Sequence, residues 1–255
     1  VPPRRPRRPL RLLVWLLVVL VVLTPVLVTA DRAGHNRAEQ IVADRIAAEL
    51  AANQVEATPP EVTIAGTPFL TQVLAGRYER VTVNLRRAAT DEVALTRIQL
   101  TATGVSAELD TLLSEEGAIN ADRLTGTAMM GYEAAMALID LDNLELSDGG
   151  DGLLGIRLPR RILGEQVFLV GTAELEARPS GGAVRLHIQE MSVEEDVLLP
   201  FASDLADQYA QEYAEELTLT LRVPPLPFDL AVDSLTVEPA GVAIAVSATD
   251  ASLAA

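Results

Sequence analysis

Cysteine and lysine are absent from these 255 residues, and histidine occurs only twice, at His35 and His187. Without cysteine, neither disulfides nor thiolate chemistry contributes to the fold or to a site. Without lysine every basic residue is an arginine, and with abundant Ala, Leu and Val that bias points to a GC-rich genome rather than to a mechanism. Positive charge is also missing from most of the chain. Arg4, Arg5, Arg7, Arg8 and Arg11 all precede Leu12, and setting these five aside leaves 15 basic against 36 acidic residues, a formal −21. A surface that acidic argues against nucleic acid as a partner and against a polybasic patch for anionic lipid.

Catalytic signatures are missing as well. No G-x-S-x-G, P-loop or dinucleotide fingerprint occurs. His35 reads as a polar residue beside an apolar segment. His187 shares a strand face with Arg185 and Gln189, opposite Val184, Leu186 and Ile188, and no second ligand stands at metal-binding spacing. Asp148 and Asp151 lack the spacing and terminal Glu of an EF-hand and read as turn residues. Glu194-Glu195-Asp196 reads as a solvated bend. The expectation is a protein that is not an enzyme, with no catalytic residue, metal or cofactor.

What is present begins with residues 12–30, an uncharged run of 19. As a helix it spans about 28 Å at ~1.5 Å per residue, close to a bilayer's hydrocarbon thickness. Arginines on its N-terminal flank place that end in the cytoplasm. The expected division is a cytoplasmic Arg-rich segment at 1–11, a transmembrane signal-anchor at 12–30, and an extracytoplasmic domain at 31–255. Val28-Thr29-Ala30 also fits a small-x-small cleavage site, which makes a secreted or periplasmic domain the alternative. Both readings export the 225 residues after Ala30, enough for an ordinary hydrophobic core.

Periodicity organises the exported part. Ala38, Val42, Ile46 and Leu50 recur every four residues and predict a helix over 36–53. Pro68 predicts the first turn of a short helix carrying Phe69, Leu70, Val73 and Leu74, stopped by Gly76. Strict alternation of Val81, Val83 and Leu85 predicts a strand, and Val93 to Ala102 repeats it with a shift of parity near Arg97 that predicts a bulge. Leu124 to Met130 reads as a strand, Tyr132 to Ile139 as a short helix, and 147–152 as a loop. Val167 to Ala177 and Ala183 to Val193 form an expected hairpin. Phe201, Leu205, Tyr209, Tyr213 and Leu217 step by four and predict a long helix. More alternation follows, with a type I turn at Glu238-Pro239-Ala240-Gly241. The expected class is α+β, a strongly curved antiparallel sheet with two long helices.

Two patterns stand out as candidate sites. Met129, Met130 and Met136, with Phe69, Leu70, Val73 and Leu74, are adaptable apolar residues that suit flexible ligands or an ordinary core. Arg157-Leu158-Pro159-Arg160-Arg161 is a basic segment in an acidic chain, read as a loop that is either solvated or meets a phosphate.

Val62 to Tyr78 (VTIAGTPFLTQVLAGRY), followed by Val81-Thr82-Val83, resembles the opening of an actinobacterial exported family, and Val223 to Val242 (VPPLPFDLAVDSLTVEPAGV) resembles its closing segment. This is the LmeA-like phospholipid-binding family, and the resemblance extends over nearly all of 36–253. It implies an envelope protein that binds phospholipid, with a carrier or transfer role in envelope or lipoglycan maintenance. The implied fold is similar to tubular lipid-binding (TULIP/BPI-like) domains, in which a curved sheet wraps long helices around an apolar cavity. No residue role is carried over by it.

On residue type and predicted face, the candidate lining is Phe69, Leu70, Val73, Met129, Met136, Leu205, Tyr209 and Phe228, with Arg157, Arg160 and Arg161 for a headgroup. The expected partners are phospholipid, the cytoplasmic membrane through residues 12–30, and envelope-biosynthesis proteins. A membrane-anchored, non-enzymatic scaffold for envelope enzymes is the alternative function.

Overall fold

A computed structural model describes residues 8–91, 93–107, 119–139, 141, 143–162, 165–178, 182–194, 214, 219–222 and 226–252, with side chains from Val28 onward apart from a few positions at element ends. Helix α1, Arg8–Ala52, is continuous over 45 residues. The helix expected over 36–53 is therefore the end of a longer one, which runs through Pro25 and through the boundaries drawn at 11 and 30. Among the residues whose side chains are described, no helix is long and apolar enough to cross a membrane; the side chains of 8–27 fall outside them.

The end of α1 is built by backbone geometry. Gln54 adopts a left-handed conformation, φ 59°. Its N–H then donates to the Ala51 carbonyl while the Val55 N–H donates to that of Leu50. This pairing satisfies carbonyls that the last turn would leave free. Helix α2, Phe69–Ala75, stops at Gly76 as its sequence predicts, with φ 61°. Helix α3, Tyr132–Ala137, is shorter still.

Antiparallel sheet makes up most of the described fold. One sheet has seven strands: β1 Glu56–Ala57, β2 Glu61–Ala65, β3 Arg77–Ala89, β4 Ala94–Ser106, β5 Asn120–Met130, β11 Ala231–Glu238 and β12 Gly241–Ser252. Their order is β1-β3-β4-β5-β12-β11, with β2 also on β3. The other has five: β6 Glu145–Asp148, β7 Leu154–Ile162, β8 Glu165–Arg178, β9 Ala183–Val193 and β10 Leu219–Arg222, in the order β10-β9-β8-β7-β6. The five-stranded sheet is thus inserted between β5 and β11, and the two sheets meet where β11 packs on β8. The β11–β12 turn falls at Pro239-Ala240, as expected. Gly241 follows at φ 139°, where a Cβ would strike the Met130 carbonyl oxygen.

Two local expectations need correction. Residues 157–161 are not a loop but part of strand β7. β6 pairs with β7 only over Leu154 to Arg157; among the described residues no strand pairs with that side of β7 beyond this point, so Pro159 forfeits no ladder hydrogen bond there. Ser147 and Asp148 belong to β6, which leaves a tighter turn at 149–153. Of two expected long helices one is described. It packs on β1, β2 and α2 rather than lying inside a curved sheet. The second, over 201–217, lies outside the described residues except for Ala214, which is helical.

The seven-stranded sheet bends along a line common to four neighbouring strands. Tyr78, Val105, Ala121 and Ala251 form one register row, and Val81, Ala102, Leu124 and Ala248 form another. On every strand the two rows are three residues apart, a spacing that simple alternation would send to opposite faces. Both nevertheless belong to one apolar cluster with Ile64 and Phe69. Gly104 and Asp250, between the rows, have φ of 63° and 53°, and such left-handed residues supply the local twist. The bulge expected at Arg97 is a second bend: φ is 49° there, and the β4–β5 register slips between Thr96 and Gln99.

A second core fills the space behind the five-stranded sheet. Leu158, Val167, Leu169 and Ala173 are wholly buried there with Leu154, Leu186 and Ile188, and Val237 of β11 joins them. Tyr132 fixes α3 over this region by donating its hydroxyl to the Glu238 carbonyl at 2.6 Å.

Candidate functional site

Among the described residues, those singled out by type do not share one wall. Phe69 and Val73 come together under α2, in the cluster with Ile64 and Tyr78. Leu70, on the same helix, points out. Met136, on α3, packs on the other core. Met129 is buried, but alternation on β5 sends it to the face opposite Gly126 and Ala128. Phe228 lies in a 3₁₀ turn, Pro227–Asp229, at φ 60°, and is exposed. Leu205 and Tyr209 lie outside the described residues.

The three arginines are also differently placed. Arg157 donates to Glu145 and to Glu194, each at 3.1 Å, and its guanidinium stacks 3.6 Å from the centre of the Phe168 ring. Those two carboxylates raise its pKa above the usual arginine value. An anionic headgroup at Arg157 would have to compete with both. Arg160 is half-buried and donates to the Pro159 carbonyl, while Arg161 is exposed.

The seven-stranded sheet offers a different arrangement. Its two central register rows are apolar from edge to edge. One runs Val62, Val83, Leu100, Gly126, Val246, Val232 across six strands. The next pairs Leu85 with Ile98, is interrupted by the β4 bulge, and continues as Ala128, Ile244 and Leu235. Apart from the buried Leu85 and Gly126 these residues are half-buried, and of the two rows only Val62 packs against either core. Six strands spaced ~4.8 Å apart give this strip a length of about 24 Å. An acyl chain fills one leaflet of a bilayer, about 15 Å. Among the described residues, β4 and β5 pack extensively only on neighbouring strands.

Gly126 occupies the middle of the strip. A Cβ on it would lie 2.7 Å from Leu100 Cδ2 and 2.8 Å from Val246 Cγ2. The glycine lets those two side chains close over the backbone from either side. A glycine inside a strand, which costs stability, commonly marks such a close approach.

The opposite face of the same strands is polar. Thr63, Thr82, Thr101, Thr125 and Ser247 form a hydroxyl row, and beside it stand Glu61, Asn84, Gln99 and Thr127. The Gln99 amide donates to Asn84 at 3.0 Å. A cleft of about 370 Å³ near the Arg97 bulge is lined by Glu61, Asn84, Arg86, Arg97, Gln99 and Thr127, together with Pro59, Leu85 and Ile98. Charged and amide groups there suit water, not hydrocarbon.

Periodicity exposed both faces of these strands, but residue type drew attention to methionines and aromatics. The signal that would have found the strip is registration: Val83, Leu100 and Val246 line up only once the pairing is known.

A bent antiparallel sheet with one wall of apolar side chains outside both cores, and hydroxyls and amides on the other, belongs to the class of β-rich proteins suited to holding an apolar molecule. Residues 29–247 match the family model described as LmeA-like phospholipid-binding. The chain belongs to that family. No curated protein and no solved structure matches it.

Proposed function

We propose that this chain is an extracytoplasmic, non-enzymatic carrier that binds phospholipid by laying acyl chains along the strip of Val83, Leu100, Gly126 and Val246, in support of envelope or lipoglycan maintenance. The strip carries this reading: it is apolar across the sheet and outside both cores. The energetics demand an enclosed seat. Two chains of about 16 carbons, at ~0.8 kcal/mol per CH₂, involve on the order of 25 kcal/mol of transfer from water. One wall covers only part of that surface, so an enclosing, tubular arrangement belongs to the proposal. The membrane tether at 12–30 rests on the apolar run and its arginine flank.

The test is photocrosslinking with a phospholipid bearing a diazirine at mid-chain, followed by peptide mapping. Labelled peptides from β3, β4, β5 and β12 that contain Val83, Leu100, Gly126 or Val246 are the expected result. Labelling confined to the core around Leu158 and Leu169, or none at all, would contradict the seat and favour the scaffold role.

A further inference from the structure

Helix α2 presents apolar residues in two directions. Phe69 and Val73 pack inward. Leu70 and Leu74, one turn apart, face out at 38% and 86% exposure, and Leu74 is the most exposed large hydrophobic side chain described. Helix α1 fixes their position. The Leu70 N–H donates to Asp31 Oδ1 at 2.8 Å, a Cβ on Gly34 would sit 3.7 Å from Leu70 Cδ2, and the His35 ring stands edge-on to Phe69 with centroids 5.3 Å apart. Asp31 is the first charged residue after the apolar run.

Taken with the tether of the preceding proposal, on which this inference rests, these contacts set α2 level with the point where α1 leaves the hydrocarbon. Leu74 lies four residues along α2 from Leu70, about 6 Å at ~1.5 Å per residue. The headgroup layer on each side of a bilayer is about 5–7 Å deep. Arg32 follows Asp31 on α1 and Arg77 follows the Gly76 that ends α2; both are exposed and suit lipid phosphates. α1 is an unbroken helix clamped to α2, so the domain has no hinge there on which to swing away.

We propose that Leu70 and Leu74 dock into the interfacial layer of the bilayer that holds α1, making α2 a second membrane contact that fixes the domain's orientation against the leaflet. Its occupant is a lipid surface, indicated by continuity with the apolar run and by the arginines beside it.

The absence of cysteine makes single-cysteine labelling direct. Val18→Cys, Leu74→Cys and His187→Cys are each made in the full chain, labelled with an environment-sensitive fluorophore and reconstituted into phosphatidylcholine–phosphatidylglycerol vesicles containing a lipid-borne quencher. The expected result is strong quenching at 18 and quenching at 74 at least about twofold above that at 187, as for a side chain in the interface. If position 18 is quenched and 74 behaves like 187, the tether stands and docking by α2 is overturned. If position 18 is not quenched, the tether reading fails and this inference falls with it. Equal quenching at 74 and 187 at any level also overturns it, as general adsorption.

Discussion

The Asp31 carboxylate accepts the backbone N–H of Leu70 at 2.8 Å, and so one helix supplies the cap that another lacks. Pro68 stands at the N-cap of α2 and makes no side-chain cap. The first turn of a helix leaves backbone N–H groups without partners, and a carboxylate from elsewhere in the chain can satisfy them. Those bonds, from Leu70 and Phe69, hold Asp31 below the usual carboxylate value of 3.8.

A depressed carboxylate pKa has a definite sign in stability. Its contribution is complete above 3.8 and is lost as pH falls through the lower folded value. Thermal melts of wild type and Asp31→Asn should therefore differ at neutral pH, with wild type the more stable. The gap should close in acid, below 3.8. A gap that does not depend on pH would mean that the charge of Asp31 contributes nothing.

Gly126 tests the strip from within. Gly126→Leu pushes a side chain into the space between Leu100 and Val246, which by overpacking should cost about 1–3 kcal/mol in denaturant melts. It should also cut the bound lipid severalfold. A folded Gly126→Leu protein with the wild-type lipid load would place the ligand elsewhere.

Core and seat should respond differently to the same truncation. Leu158→Ala and Leu169→Ala remove wholly buried side chains and should each cost about 2–5 kcal/mol. Half-buried Leu100, outside both cores, should cost less than half as much on truncation to Ala and yet lower lipid affinity more. Chemical denaturation with a lipid-binding assay on the same samples decides between these rankings.

Arg157 should prove structural. Arg157→Gln leaves Glu145 and Glu194 without their shared cation and should lower Tm, whereas substitution of the exposed Arg161 by Gln should leave Tm nearly unchanged. If the single substitution leaves Tm unchanged but weakens binding of anionic phospholipid, Arg157 serves the headgroup after all.

Local signals are legible in the sequence. Gly76 ends α2, the parity shift marks the bulge at Arg97, and His187 sits on the exposed face of β9 opposite Leu186 and Ile188. Those features depend on neighbours along the chain. The Arg157 segment looks like a loop because it holds Pro159 and three arginines, and only the pairing, in which β6 stops at Arg157, shows how a strand accepts them. The strip was hidden for a related reason: Val83, Leu100, Gly126 and Val246 are unremarkable singly and become a wall through cross-strand register. Asp31 capping α2 is a tertiary contact over 39 residues and has no local signature.

The central claim is that this chain carries phospholipid on the apolar face of its seven-stranded sheet. The most direct measurement is quantitative mass spectrometry of organic extracts from the purified full chain and from its Leu100→Asp variant, which sets a carboxylate in the strip where it lacks a partner. Phospholipid near one molecule per chain in the wild type, with most of it lost from a folded Leu100→Asp protein, is the predicted result. Wild-type protein free of phospholipid, or an undiminished load in the folded variant, would contradict it.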